Sequence, residues 1–154
     1  MTVRVQAEAF DMGAEIAGFA AGHPESGGLA SFVGLVRDLN EGKPVAALTL
    51  EHYPGMTERQ LQAIEAEARA RWPLDDVLII HRHGRMQPTE AIVLVACLSA
   101  HREAAFDACR FLMDWLKTKA PFWKVEDRPD GARDWVDARS SDEDAARRWG
   151  TRHQ

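Results

Sequence analysis

The longest apolar run of the chain, residues 91–98, is far too short to cross a bilayer and is partly β-branched. It reads as a strand over residues 91–99, and residues 77–82 form a second run of the same kind. The turn residues between them, around Gly84 and Pro88, predict an antiparallel pair. A long helix is expected next, over residues 101–118, with Ser99 available near its start. Ala105, Ala108, Leu112 and Trp115 lie on one stripe of that helix. Phe106, Cys109, Met113 and Leu116 widen the stripe, so the helix is deeply packed or sits at an interface. Pro121 breaks the pattern, and residues 122–126 look extended.

The rest of the chain adds to this frame. Residues 3–8 alternate like a half-buried strand, and a short helix over 11–21 has Asp11 as its cap. A turn-rich loop over 23–28 leads to a strand at 29–36 and a polar loop at 37–42. Residues 45–52 are a further strand, stopped by Tyr53-Pro54-Gly55. Thr57 with Gln60 makes a capping-box pattern for a helix over 58–72, which Pro73 ends. Leu61, Ile64 and Ala68 are its buried stripe, with Glu58, Arg59, Glu65, Glu67 and Arg69 solvated. After a turn at Pro129-Asp130-Gly131 come a short Trp135-Val136 segment and a final helix over 141–149. The order of elements is that of an α+β protein, with one mixed or antiparallel sheet and helices packed on it. Residues 1–154 read as a single domain, with 140–154 as a mobile or docking tail.

A chain of 154 residues suits one sizeable core. Its net charge of −5 and pI near 5.7 argue against general binding to nucleic acid or to an anionic membrane. Any anion site is therefore a local cluster that the overall balance hides. The first residues carry no apolar stretch behind a basic end, so no signal peptide is read there and the cytoplasm is the expected compartment. Cys97 and Cys109 have no CxxC spacing and no flanking cations, which points to core packing rather than to a reactive thiol.

His81-Arg82-His83 puts two histidines on one strand face. Without acidic or cysteine ligands at supporting spacing they read as a partly exposed strand face, and no metal is expected. Glu51-His52-Tyr53 is a polar strand end, and no GxSxG, P-loop or GxGxxG pattern is present. Cations are more informative. His101-Arg102 falls at the start of the long helix, where backbone N–H groups favour anions and a basic residue is electrostatically out of place. Lys117, in the last turn, complements the helix dipole. Lys124 sits between Trp123 and Val125, and a lysine held against apolar surface is suited to acid, base or nucleophilic work. A continuous helix from His101 to Lys117 is roughly 24 Å long at ~1.5 Å per residue. The two ends serve different sites, or two copies of the chain build one site across an interface.

Several segments occur in a telling order: Ser31-Phe32-Val33-Gly34-Leu35-Val36-Arg37, Leu48-Thr49-Leu50-Glu51-His52-Tyr53-Pro54-Gly55-Met56, Ser99-Ala100-His101-Arg102 and Lys117-Thr118-Lys119-Ala120-Pro121-Phe122-Trp123-Lys124. Trp135-Val136-Asp137-Ala138-Arg139 follows. Together they resemble the large, catalytic subunit of molybdopterin synthase, the MoaE family, from about residue 29 to Trp149. The resemblance implies an α+β fold of the α/β-hammerhead type. It implies a sulfurtransferase of molybdenum-cofactor biosynthesis that needs no resident cofactor. Such an enzyme moves sulfur from the C-terminal Gly-Gly thiocarboxylate of a small ubiquitin-like carrier to cyclic pyranopterin monophosphate, forming the dithiolene of molybdopterin. The implied assembly is a central homodimer with one small subunit at each end, a heterotetramer. Residue by residue, Lys117 and Lys124 match the family's active-site lysines. Arg37, His101 and Arg102 match its anion-binding residues, the last two supplied by the neighbouring subunit, and Arg139 falls in a matching segment. Lys119 stands where the family commonly has Arg, and the turn over 86–90 lacks a glycine usual there.

Overall fold

The computed structural model describes residues 3–136 and 147–150. The chain runs β1 (Val3–Gln6), α1 (Met12–Ala21), β2 (Gly28–Leu35), β3 (Leu39–Asn40), β4 (Lys43–Pro44), β5 (Ala47–His52), α2 (Met56–Arg71), β6 (Leu74–Arg82), β7 (Gly84–Met86), β8 (Ala91–Ser99), α3 (Arg102–Thr118), β9 (Phe122–Asp127) and β10 (Arg133–Val136). The class is α+β, as expected, but the strands do not form one sheet. Four make a mixed sheet in the order β1-β6-β8-β2, four an antiparallel sheet in the order β10-β9-β5-β7, and β3-β4 pair alone.

The apolar run lies near the centre of the first sheet, as β8 between β6 and β2, antiparallel to both. Its side chains alternate between two apolar clusters. Val93, Val95 and Cys97 join Val77 and Ile79 of β6 in the main core, with Leu61, Ala68, Phe111 and Leu112 of the helices. Leu94 and Ala96 join Leu78 and Ile80 on the opposite face, against Phe10, Ile16 and Phe19 around α1. A strand buried on both faces needs this unbroken hydrophobicity. At the sheet's edge β1 pairs with β6 in parallel. The chain leaves this sheet for the other at Gly84, whose φ of 91° strains any residue with a Cβ.

The first helix starts as expected, whereas the starts of α2 and α3 do not. Asp11 caps α1 by accepting from the Ala14 N–H at 3.0 Å. For α2 the capping role moves forward: Gly55 is the cap, and the Glu58 carboxylate accepts from its N–H at 2.9 Å. Thr57 lies inside the first turn, fully buried, and donates its hydroxyl to the Tyr53 carbonyl oxygen. Glu65, expected in solvent, is 9 % exposed because it accepts from Arg69, which reaches on to Asp76. Ser99 does not cap α3; its hydroxyl donates to the Pro73 carbonyl oxygen instead. Phe106 points outward at 62 % exposure, while Phe111 takes an inner position.

Arg139 and most of the expected helix over 141–149 lie outside the described residues. Within 147–150, Trp149 packs edge-on against Trp72 and Phe111, and its indole N–H donates to Asp114 at 2.6 Å. Among the described residues no helix is long and apolar enough to cross a membrane.

Candidate functional site

Strand register places Lys124. On β9 it lies opposite Leu50 of β5 and Val136 of β10, so these three side chains share a face. Phe122, two residues earlier, is on the same face and stacks on His81 of the first sheet at 3.8 Å between centroids. That face of the second sheet therefore looks into the junction of the two sheets. Lys117 arrives from the last turn of α3, which ends at Lys119, the cap whose N–H donates to the Trp115 carbonyl oxygen. The Thr118 hydroxyl donates to the Asp114 carbonyl oxygen and covers a further carbonyl of that turn.

Both lysines line one cavity of about 250 Å³ between α3, β8 and β9, with Leu50, His81 and Met113 among its walls. Trp123 and Trp135, at 41 % and 67 % exposure, also line it. Both lysines and Val136 are shared with an adjoining groove of about 500 Å³, which carries Arg37 just beyond β2. Thus three of the cations singled out in the sequence converge on one recess. Asn40 and Glu126 line the groove side, where the Asn40 amide donates to the Glu126 carboxylate at 3.1 Å.

His101 and Arg102 behave differently. Both are exposed at the far end of α3, and neither lines the two recesses. Gly27 and Gly28 pack against this end: a Cβ on Gly27 would lie 2.2 Å from the Ala100 carbonyl oxygen. Within one chain the helix therefore holds two cationic groups apart.

The histidines form a ring array beside the lysines. His81 is 6 % exposed, which corrects the expectation of a partly exposed strand face. Its Nδ1 lies 2.9 Å from the Arg82 carbonyl oxygen. Burial, together with the charges of Lys117 and Lys124, pushes its pKa down to about 3, so the ring is neutral. His52 stands 4.4 Å from His83 between ring centroids, with Nδ1 3.0 Å from the Thr57 hydroxyl. Burial and His83 lower its pKa too. Among the described residues no group of three or more His, Cys, Asp or Glu side chains is arranged to hold a metal ion. Cys97 and Cys109 are both buried, the Cys109 thiol donating to the Val95 carbonyl oxygen at 3.8 Å, and the neighbouring Cys109 together with burial raises the pKa of Cys97.

Sequence reasoning missed His81 as part of this wall. The available signal was its place on an apolar strand followed by a Phe122/Lys124 alternation, but nothing local shows that the two strands meet.

Fold and recess together define an α+β protein with a cationic, aromatic-rimmed recess at the end of a long helix. The chain belongs to the MoaE protein family, which it matches over residues 5–119. A molybdopterin synthase catalytic subunit from Pseudomonas aeruginosa is 56% identical over 149 residues, 97% of this chain and 99% of that protein. The solved structure of the molybdopterin biosynthesis MoaE protein from Burkholderia ambifaria is 55% identical, with a TM-score of 0.82 over 97% of this chain and 98% of that one. Molybdopterin synthase from Staphylococcus aureus shares the fold at 28% identity and a TM-score of 0.79, covering 88% and 97% of the two chains.

Proposed function

We propose that the chain is the catalytic subunit of a molybdopterin synthase. It would transfer sulfur from the thiocarboxylated C-terminus of a small ubiquitin-like carrier to cyclic pyranopterin monophosphate. The observation that carries this reading is the convergence of Lys117 and Lys124, from different elements, on one cavity that opens beside Arg37. Both reactants are anions, and a partly dry cationic recess holds them together and strengthens each charge-assisted contact. The thiocarboxylate sulfur is the nucleophile, which explains why the enzyme needs no reactive cysteine of its own. Lys117 contacts the carrier's terminal glycine and assists attack or release. Lys124 serves as proton donor or acceptor and stabilises developing negative charge. Each carbon–sulfur bond forms as an oxygen substituent leaves the pterin side chain, giving a thioester to the carrier. Water then cleaves the acyl–sulfur bond, the carrier departs as a carboxylate, the sulfur stays on the pterin, and a second carrier delivers the second sulfur.

Arg37 grips the phosphate, with His101 and Arg102 supplied by a second copy of the chain. The separation of these residues from the lysines along α3 supports sharing across a homodimer, since one chain does not bring both ends to one small substrate. The exposed Phe32 and Leu35 of β2, an edge strand, and Phe106 of α3 offer apolar surface for that pairing. Arg139 joins this anion site in the proposal on the resemblance of its segment alone.

Purified protein is incubated with cyclic pyranopterin monophosphate, with and without thiocarboxylated carrier. Dithiolene product that depends on the carrier is expected. Product formed equally well without any protein sulfur donor would overturn the reading.

A further inference from the structure

His81 borders the lysine cavity with one nitrogen already committed. The Arg82 carbonyl oxygen can only accept, so Nδ1 carries the proton and donates to it. In the neutral ring Nε2 is then an unprotonated acceptor. The ring is not free to change this. Phe122 stacks on it at 3.8 Å and 13° between planes, and turning it over would break the bond to Arg82.

The groups facing His81 come from three elements: Lys117 from α3, Lys124 from β9 and His52 from β5, with His83 behind His52. All are basic, and Arg82 contributes its carbonyl. A proton added to His81 would be both buried and repelled, consistent with the depressed pKa described above. A carboxylate in this place would pair with a lysine and cancel the charge that an anionic substrate needs. A neutral imidazole accepts a hydrogen bond and leaves the charge in place.

We propose that His81 is a positioning residue for the lysine pair: its Nε2 accepts from a lysine ammonium at the cavity wall and holds it oriented toward the anion. Two ammonium groups on one recess repel each other, and a fixed acceptor limits how far they splay. The activity consequences rest on the sulfur-transfer reading; the tautomer and the acceptor role do not.

The test has two arms. In the first, the full chain labelled with ¹⁵N-histidine is titrated by long-range ¹H–¹⁵N correlation spectroscopy. His81 should stay neutral, with the proton on Nδ1, from about pH 5 to about pH 8. Titration of His81 within that window, or a proton on Nε2, would overturn the proposal. In the second arm His81→Phe keeps the stacked ring but has no acceptor, while His81→Gln keeps a side-chain carbonyl. His81→Phe should lower kcat for sulfur transfer on the order of tenfold, with a smaller change in the carrier's KM. The alkaline limb of its pH profile should move to lower pH, because the lysine loses a partner that favours its charged form. His81→Gln should restore most of both. Wild-type kcat and pH limb in His81→Phe, or equal losses in the two variants, would count against the idea. Should either variant prove unstable, the first arm decides alone. An inactive wild-type protein would refute the sulfur-transfer reading and leave the first arm intact.

Discussion

Replacing Gly27 with alanine is expected to strain the start of α3 more than its exposed position suggests. The Gly27 N–H donates to the Ser99 carbonyl oxygen at 3.0 Å, which fixes the loop against the end of β8. A Cβ there would lie 2.2 Å from the Ala100 carbonyl oxygen, where ordinary contact begins near 3.4 Å, so the loop or the helix start must move by about 1 Å. The obstructing atom is backbone and cannot swing aside as a side-chain end would. Steric insertions of this kind cost about 1–3 kcal/mol. For a chain of this length each kcal/mol lowers Tm by about 2–4 °C, giving a fall of roughly 2–12 °C. Gly22→Ala is the matched control. Its φ is −83° and a Cβ there meets nothing within 4 Å, so stability should be unchanged or higher by about 0.4–1 kcal/mol. Scanning calorimetry of the two variants gives the comparison. Equal Tm values would refute the claim that this close approach sets the helix start. On the proposed role of His101 and Arg102, which Ala100 directly precedes, the Gly27 variant should also weaken substrate binding.

Three further outcomes are expected. Leu112→Ala, in a fully buried position of the main core, should cost about 2–5 kcal/mol by urea titration; a change below 1 kcal/mol would mean that α3 is not seated as described. His23 lies 2.9 Å from both Glu25 and Asp76, and these hydrogen bonds raise its pKa above 6.5. Its stabilising contribution is therefore full below the unfolded value and lost as pH rises through the folded one. The Tm difference between wild type and His23→Gln should be larger at acidic than at alkaline pH, and a pH-independent difference would refute this. Finally, mixing a His101→Ala/Arg102→Ala variant with a Lys117→Ala/Lys124→Ala variant should regenerate activity in mixed dimers. No recovery despite demonstrated subunit exchange would exclude a shared site.

Much of the architecture was legible because it follows local periodicity. The run at β8 and the apolar stripe of α3 are strong signals, and both were placed within a residue or two. What periodicity does not carry is which elements meet. The chain passes between the two sheets several times, and one of those crossings, at Gly84, turns on a single positive-φ backbone conformation between His83 and Arg85. The α2 cap was misplaced because Thr57 and Gln60 mimic a capping pattern, whereas Thr57 is drawn inward by its bonds to Tyr53 and His52. Glu65 looked solvated because its partner Arg69 and the more distant Asp76 were not yet side by side.

The site divides along the same line. Lys117 and Lys124 stood out as chemically odd residues near a helix end, and the resemblance supplied their expected role. Their meeting with Arg37 needed the third dimension, as did the burial of His81 against Phe122. His101 and Arg102 lie at the helix start, as the sequence predicts, and the described chain keeps them away from the lysine recess.

The most direct measurement is single-turnover sulfur transfer from thiocarboxylated carrier to cyclic pyranopterin monophosphate, followed by mass spectrometry of the pterin product. The wild-type protein should form the dithiolene, and a folded Lys117→Ala/Lys124→Ala variant should form essentially none. Wild-type turnover by that double variant would contradict the account.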